Sequence, residues 1–142
     1  MYRHILIPTD GSELAGHGVA QGLALAKSLG AKASVIFVVE PFPEMTGRFL
    51  ETLARYVELR KEQAKSALDR AANEAKAAGL TCQTIEAESA HPHQSIIATA
   101  ENKGCDLIVM SSHGRSGLSR LLIGSVTNKV LTLAKVPVLI CQ

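Results

Sequence analysis

The chain alternates between short, almost continuous apolar runs and longer stretches in which apolar residues recur every three or four positions. A short continuous run is typical of a strand covered on both faces, and the three-to-four spacing indicates a helix with one buried side. The pattern predicts strands at residues 5–7, 33–39, 81–87, 107–110 and 137–141. It predicts helices at about 12–29, 47–78, 92–103 and 125–134.

Strands that alternate with helices imply a parallel sheet with helices on both faces. We therefore expect an α/β fold, a single three-layer Rossmann-like domain over residues 1–142. The segment 81–87 alternates more weakly, which places it at a sheet edge.

Composition narrows the class of protein. The net charge of +2 is too small to favour nucleic acid or an anionic membrane surface as a partner. The longest apolar run, 33–39, is far shorter than a membrane span, and the first residues do not resemble a signal peptide, so we expect a cytoplasmic protein. The three cysteines are odd in number and widely spaced, which favours buried free thiols over disulfides or a zinc site.

Two strand ends carry most of the candidate chemistry. Pro8-Thr9-Asp10-Gly11 follows the first strand, and Ser111-Ser112-His113-Gly114 follows the fourth. Ligands of open parallel sheets bind at the carboxyl ends of strands, where the strand order reverses, so placing strands one and four side by side brings the two turns together. A glycine-spaced loop then leads to a helix start at Gly124-Ser125, an arrangement that suits a phosphate.

At these residues the chain resembles the universal stress protein family. The resemblance rests on residues 5–12, 106–115, Gly124-Ser125-Val126 and the terminal 136–140. It implies a five-stranded parallel sheet in the order 3-2-1-4-5 and a homodimer formed through the last strand. The nucleotide-binding branch has Gly, two residues, Gly, nine residues, Gly, then Ser or Thr. Gly114 and Gly124-Ser125 match this pattern, and Ser111 departs from it by replacing the first glycine.

The resemblance implies an ATP-binding stress-response protein with little or no turnover. ATP is the expected ligand, with AMP and ADP as alternatives, and Mg²⁺ is expected to bind through the phosphates. Carried over by position, Pro8, Thr9 and Asp10 border the adenine and ribose, Val38 contacts the adenine, Met110 and Ser111 lie beside the nucleoside, and Gly114, Gly124, Ser125, Val126 and Thr127 hold the phosphates.

Two other functions stay open: a slow ATP hydrolase, and an interaction protein of the same fold that does not bind nucleotide. The chain has neither a P-loop nor a Gly-x-Gly-x-x-Gly motif after the first strand, so it is unlike an ordinary NTPase or dinucleotide enzyme.

Several residues also have purely structural interpretations. Ser125 and Thr127 are candidate hydroxyl donors to phosphate. The structural alternative for Ser125, and also for Asp10, is that the side chain caps the following helix. We expect His91 and His93 to be an exposed turn rather than a metal site. A catalytic pairing of His113 with Ser111 or Ser112 is disfavoured, because adjacent residues rarely face each other. Solvent exposure is expected for loop residues Arg115 and Arg120 and for one face of the second helix, which carries Arg60, Lys61, Glu62, Lys65, Asp69 and Arg70.

Overall fold

The computed structural model describes residues 1–41, 50–113 and 122–142. Strands and helices alternate through these ranges, as the hydrophobic pattern predicts. The elements are β1 (His4–Pro8), α1 (Glu13–Leu29), β2 (Lys32–Val39), α2 (Leu50–Ala77), β3 (Cys82–Glu88), α3 (Pro92–Lys103), β4 (Leu107–Ser111), α4 (Ser125–Leu133) and β5 (Val138–Cys141).

The five strands form one parallel sheet in the order β3-β2-β1-β4-β5. The predicted α/β fold and strand order are therefore confirmed, and β3 lies at an edge as expected. The order reverses at β1, which pairs with β2 on one side and β4 on the other. Because the strands are parallel, the turns that follow β1 and β4 emerge at the same edge of the sheet.

Helices cover both faces of the sheet, which creates two apolar clusters. The cluster on one face joins Ile7, Val35 and Phe37 to α1 and α2. The cluster on the other joins Leu6 and Ile36 to α3 and α4. None of the helices within the described ranges has both the length and the apolar character that a membrane crossing requires.

Close contact between α1 and β1 depends on Gly22. A Cβ atom at this position would lie 2.6 Å from Cδ1 of Ile7, well inside the normal contact distance. Ile7 is fully buried at the centre of the sheet. The glycine therefore sets how closely α1 approaches β1, and this distance positions the turn between them.

Two helix caps differ from the alternatives that the sequence offered. Ser12, not Asp10, is the N-cap of α1, and its Oγ accepts a hydrogen bond from the N–H of Ala15 at 3.2 Å. Gly124, not Ser125, is the N-cap of α4, and Ser125 is its first helical residue. The first alternative is wrong by two positions and the second by one.

The cysteines are free thiols, as predicted. Cys105 and Cys141 are buried and Cys82 is partly buried. Burial, assisted by the nearby Asp106 carboxylate, raises the pKa of the Cys105 thiol to about 11. A thiol of this kind stays protonated at neutral pH and is a poor nucleophile.

Candidate functional site

A cavity of about 270 Å³ lies at the sheet edge where β1 and β4 end. All of the predicted site residues that the structure describes line this one cavity, whereas Gly114 lies outside the described residues, as do Arg115 and Arg120. Sequence reasoning did not include several further lining residues. The lining residues are Pro8, Thr9, Asp10, Ala15, Ile36, Val38, Glu40, Arg60, Pro92, Ile96, Met110, Ser111, His113, Gly124, Ser125, Val126 and Thr127.

The turn after β1 holds Asp10 in a fixed orientation at the cavity wall. Its Oδ1 accepts a hydrogen bond from the N–H of Ser12 at 3.0 Å, and Thr9 Oγ1 accepts one from the N–H of Gly11 at 3.2 Å. Gly11 has a φ of 81°, a left-handed conformation that favours glycine. These two hydrogen bonds hold the backbone of the turn in place, and the turn contributes the carboxylate of Asp10 to the cavity wall.

Ser111 ends β4 with its side chain bonded to the protein itself. Its Oγ donates to the carbonyl oxygen of His113 at 2.7 Å. Gly18 of α1 leaves the room for this residue, since a Cβ there would lie 3.1 Å from the backbone nitrogen of Ser111. Ser111 stands where the family pattern has a glycine, and its hydroxyl is directed to the backbone of His113.

His113 is a buried residue in the lining of the cavity. Its side chain is only 4% exposed, and its Nδ1 lies 2.9 Å from Oγ of Ser112. The expectation that neighbouring residues do not face each other is wrong for this pair. Nε2 is buried and has no hydrogen-bond partner within the described part of the chain. When the Ser112 hydroxyl donates to Nδ1, the neutral ring carries its proton on Nε2, which then needs an acceptor.

The start of α4 adds backbone donors to the same cavity. The N–H of Gly124 is used internally, donating to the carbonyl of Ser112 at 2.7 Å. Among the described residues no side chain caps this helix, and the next N–H groups have no intrahelical partner. Together with the helix dipole, they form an end that attracts anions. A Cβ at Gly124 would lie 3.3 Å from the Ser112 carbonyl oxygen and 3.5 Å from Cα of His113, so this junction has little spare room.

The two hydroxyls expected to donate to phosphate differ in availability. Thr127 is buried and donates its hydroxyl proton to the carbonyl of Ser111 at 3.0 Å. Its hydroxyl proton is therefore already used within the protein. Ser125 is exposed at the rim of the cavity, which leaves it as the hydroxyl donor of the pair.

Arg60 contradicts the prediction for the polar face of α2. Lys61, Glu62 and the other charged residues of that face are exposed as expected, but Arg60 is only 5% exposed and lines the cavity. Its guanidinium carbon lies 5.3 Å from the ring centroid of Phe37, and its Nη1 donates to Oε1 of Gln63. Arg60 follows Val57 by three residues and precedes Ala64 by four, so helical spacing places it on the buried side of α2, and the prediction of solvent exposure, based on its charge, is wrong.

Two histidines lie close together at the start of α3. The imidazole rings of His91 and His93 lie 6.2 Å apart, centroid to centroid. Burial, together with the charges of Lys129 and His91, lowers the pKa of His93. Across the described ranges, no three His, Cys, Asp or Glu side chains are grouped as a metal ion would need.

Comparison with known proteins gives a consistent result. The profile of the Universal stress protein family matches residues 1–142. Universal stress protein MJ0531 of Methanocaldococcus jannaschii is 34% identical over 142 residues, which cover 100% of this chain and 83% of the relative. Universal stress protein YxiE of Bacillus subtilis is 33% identical over an alignment of 152 residues, which covers 100% of this chain and 100% of the relative.

Solved structures share the fold over almost the whole chain. Universal stress protein UspA from Lactobacillus plantarum superposes with a TM-score of 0.86 at 24% identity, covering 99% of this chain and 98% of the other. A universal stress protein in complex with cAMP superposes with a TM-score of 0.75 at 26% identity, covering 99% and 97%.

Proposed function

Because this chain belongs to the universal stress protein family, we propose that it is an ATP-binding stress-response protein with little or no catalytic turnover. One observation carries the proposal: the start of α4, His113 and Asp10 line a single cavity. The relative solved in complex with cAMP supports an adenine nucleotide as the class of ligand.

The chemistry of the cavity wall suggests how ATP binds. The wall near β2 and α3 is apolar, with Val38, Ile96 and Met110, and suits a flat aromatic base. Asp10, with Pro8 and Thr9, lies on the β1 side, where a carboxylate accepts from ribose hydroxyls. The phosphates take the β4 side, at Gly124, Ser125, Val126 and Thr127, and Gly114 is proposed to join them.

His113 fits the phosphate end of this arrangement. A neutral imidazole whose Nδ1 accepts from Ser112 presents an N–H donor at Nε2, and phosphate oxygens are strong acceptors. ADP and AMP are alternatives that would occupy less of this wall. Mg²⁺ is proposed to bind through the phosphate oxygens, where it bridges them and balances part of their charge.

Slow or absent turnover follows from what hydrolysis would require. A water molecule must be positioned and activated in line with the γ-phosphate. Asp10 lies on the nucleoside side of the cavity in this arrangement, and His113 acts as a donor. Magnesium-dependent ATP hydrolysis that is lost in Asp10→Ala, with binding retained, would instead favour the slow hydrolase.

The binding proposal is tested with Gly124→Val. The added side chain meets the Ser112 carbonyl and the His113 backbone, so it displaces the start of α4 from the cavity. We expect ATP affinity, measured by calorimetry on nucleotide-free protein, to fall by more than about tenfold, or 1.4 kcal/mol. The backbone of Gly124, with φ −59°, is open to any residue, so we expect the variant to fold.

Gly16→Val is the matched control. A Cβ at Gly16 meets nothing within 4 Å, so the same change on α1 should leave ATP affinity within about twofold of the wild type. Full affinity in a folded Gly124→Val protein would refute the proposed position of the phosphates. Absence of ATP, ADP and AMP binding in the wild type, at millimolar concentrations, would refute nucleotide binding and favour the interaction protein.

We propose further that the protein is a cytoplasmic homodimer assembled through β5. This strand is an edge of the sheet, and its Leu139 is 45% exposed. An edge strand with an exposed apolar side chain is a ready surface for pairing with a second copy.

A further inference from the structure

Arg60 is the feature of the cavity to which the family resemblance assigns no role. It belongs to α2, yet its side chain is only 5% exposed and lies at the wall of the cavity. A guanidinium remains protonated in proteins at any ordinary pH, so the cavity contains a permanent positive charge.

Two contacts make burial of this charge tolerable and restrict its position. The guanidinium carbon lies 5.3 Å from the centroid of the Phe37 ring, within the range of a cation–π interaction. Nη1 donates to Oε1 of Gln63, one turn further along α2. Phe37 is fully buried in β2, so the ring that supports Arg60 is itself fixed. Arg60 is therefore a preorganised part of the wall.

The charges around Arg60 give it a role. The Asp, Glu, Lys and Arg side chains among the described lining residues are Asp10, Glu40 and Arg60. Two carboxylates without the guanidinium would repel an anion, whereas a neutral nucleoside would be affected far less. The attraction between Arg60 and an anion acts over several ångströms in a partly hydrated site and needs no direct contact.

We propose that Arg60 makes this cavity selective for anionic nucleotides over neutral nucleosides, by supplying the positive charge that offsets Asp10 and Glu40. This inference rests on the proposed nucleotide-binding function and adds a specificity-determining residue to it. Arg60 lies on the β2 side and the start of α4 on the β4 side, so the positive potential reaches the ligand from two directions.

The test compares ATP with adenosine. Arg60→Met keeps much of the side-chain volume and removes the charge. We expect its affinity for ATP to fall about tenfold while its affinity for adenosine stays within about twofold, as removal of one charge near a polyanion predicts. Arg60→Lys should retain most of the preference for ATP. Lys76→Met is the control, since it removes an exposed charge from the last turn of the same helix, away from the cavity lining, and should alter neither affinity.

Glu40→Gln provides a measurement that does not disturb the buried contacts. Glu40 is exposed, so the variant is expected to fold even if Arg60→Met does not. Removing this opposing charge should tighten ATP binding by about threefold without changing adenosine binding, and the effect should shrink as salt rises from about 0.05 to 0.5 M.

Equal losses for ATP and adenosine in a folded Arg60→Met protein would show a merely structural role and overturn the inference. An unchanged ratio of the two affinities in Glu40→Gln would also overturn it. If the wild type binds neither ligand, the proposed function fails first, and the inference fails with it. Binding of ATP by the wild type with no response to either substitution leaves the proposed function intact and removes only Arg60 from it.

Discussion

Ser111 occupies the position at which the nucleotide-binding pattern of the family has its first glycine. A side chain at the end of a strand beside a ligand site has two directions available, toward the ligand or back toward the protein. Here the hydroxyl donates to the carbonyl of His113 at 2.7 Å, and the carbonyl of Ser111 itself accepts from Thr127 at 3.0 Å. The serine therefore links β4 to the following turn and to α4, and need not block the cavity.

This arrangement predicts the result of restoring the glycine. Ser111→Gly should leave ATP affinity within about twofold but lower the free energy of unfolding by about 1–2 kcal/mol, because it removes a buried hydrogen bond and adds backbone freedom in a strand. Calorimetric titration and urea unfolding measure the two quantities. Ser111→Ala is the control, since it removes the hydrogen bond alone. An ATP affinity that rises tenfold or more in the glycine variant would mean that the serine does obstruct the ligand.

Asp106 connects two elements at the opposite edge of the sheet. It immediately precedes β4, and its carboxylate accepts hydrogen bonds from the N–H groups of Arg3, at 2.9 and 3.1 Å, and of His4, at 3.0 Å. The backbone ladder between β1 and β4 is short, so these bonds fix its register at one end. Register here decides whether the turns after β1 and β4 meet, and hence whether the cavity forms.

Stability should depend on pH through this carboxylate. Burial raises the pKa of Asp106, but the N–H donors of His4 and Arg3 outweigh it and hold the pKa below the ordinary value. A carboxyl whose pKa is lower in the folded state contributes stability above its unfolded pKa of about 3.9, and loses it as pH falls through the folded pKa. We expect Asp106→Asn to cost about 1–2 kcal/mol at pH 7, with the difference from wild type shrinking below about pH 4.

Urea unfolding of both proteins at pH 7, 5, 4 and 3 measures this difference. Asp69→Asn is a suitable control, because Asp69 pairs with Lys65 on an exposed face of α2. Its effect should stay below about 0.5 kcal/mol. A cost for Asp106→Asn that is the same at every pH would show that the charge of Asp106 plays no part.

The molecule as a whole shows which information the linear pattern contains. Apolar runs and helical spacing locate the five strands and four helices of the described ranges, because each element must bury one or both faces. The strand order came from the resemblance and is confirmed. Motif positions also identify residues that share one cavity, since strand ends in a parallel sheet are brought together by topology.

What the pattern does not contain is the environment that other elements create. The charge of Arg60 favours solvent, yet Phe37 of β2 and the cavity bury it on the inner side of α2. The sequence suggests only a catalytic role for His113, whereas the structure pairs it with Ser112 and includes it in the cavity lining. Both residues became recognisable once the positions of β2, β4 and α4 were known.

The edge strand β5 is the proposed site of dimer formation. The sheet ends at β5, which pairs on one side with β4, and Leu139 is exposed there. If two copies pair along this strand, Leu139→Lys should place like charges in the interface and convert the dimer to a monomer at about 10–100 μM, because lysine on an edge strand opposes pairing. Light scattering coupled to gel filtration measures the mass of the particle, which should fall from that of two chains to that of one.

Leu14→Lys is the control for this prediction. Leu14 is also an exposed leucine, on α1, and this variant should remain dimeric. ATP affinity should stay within about twofold, since Leu139 does not line the cavity. A wild-type protein that is monomeric at these concentrations, or a Leu139→Lys protein that is still dimeric, would exclude β5 as the dimer interface.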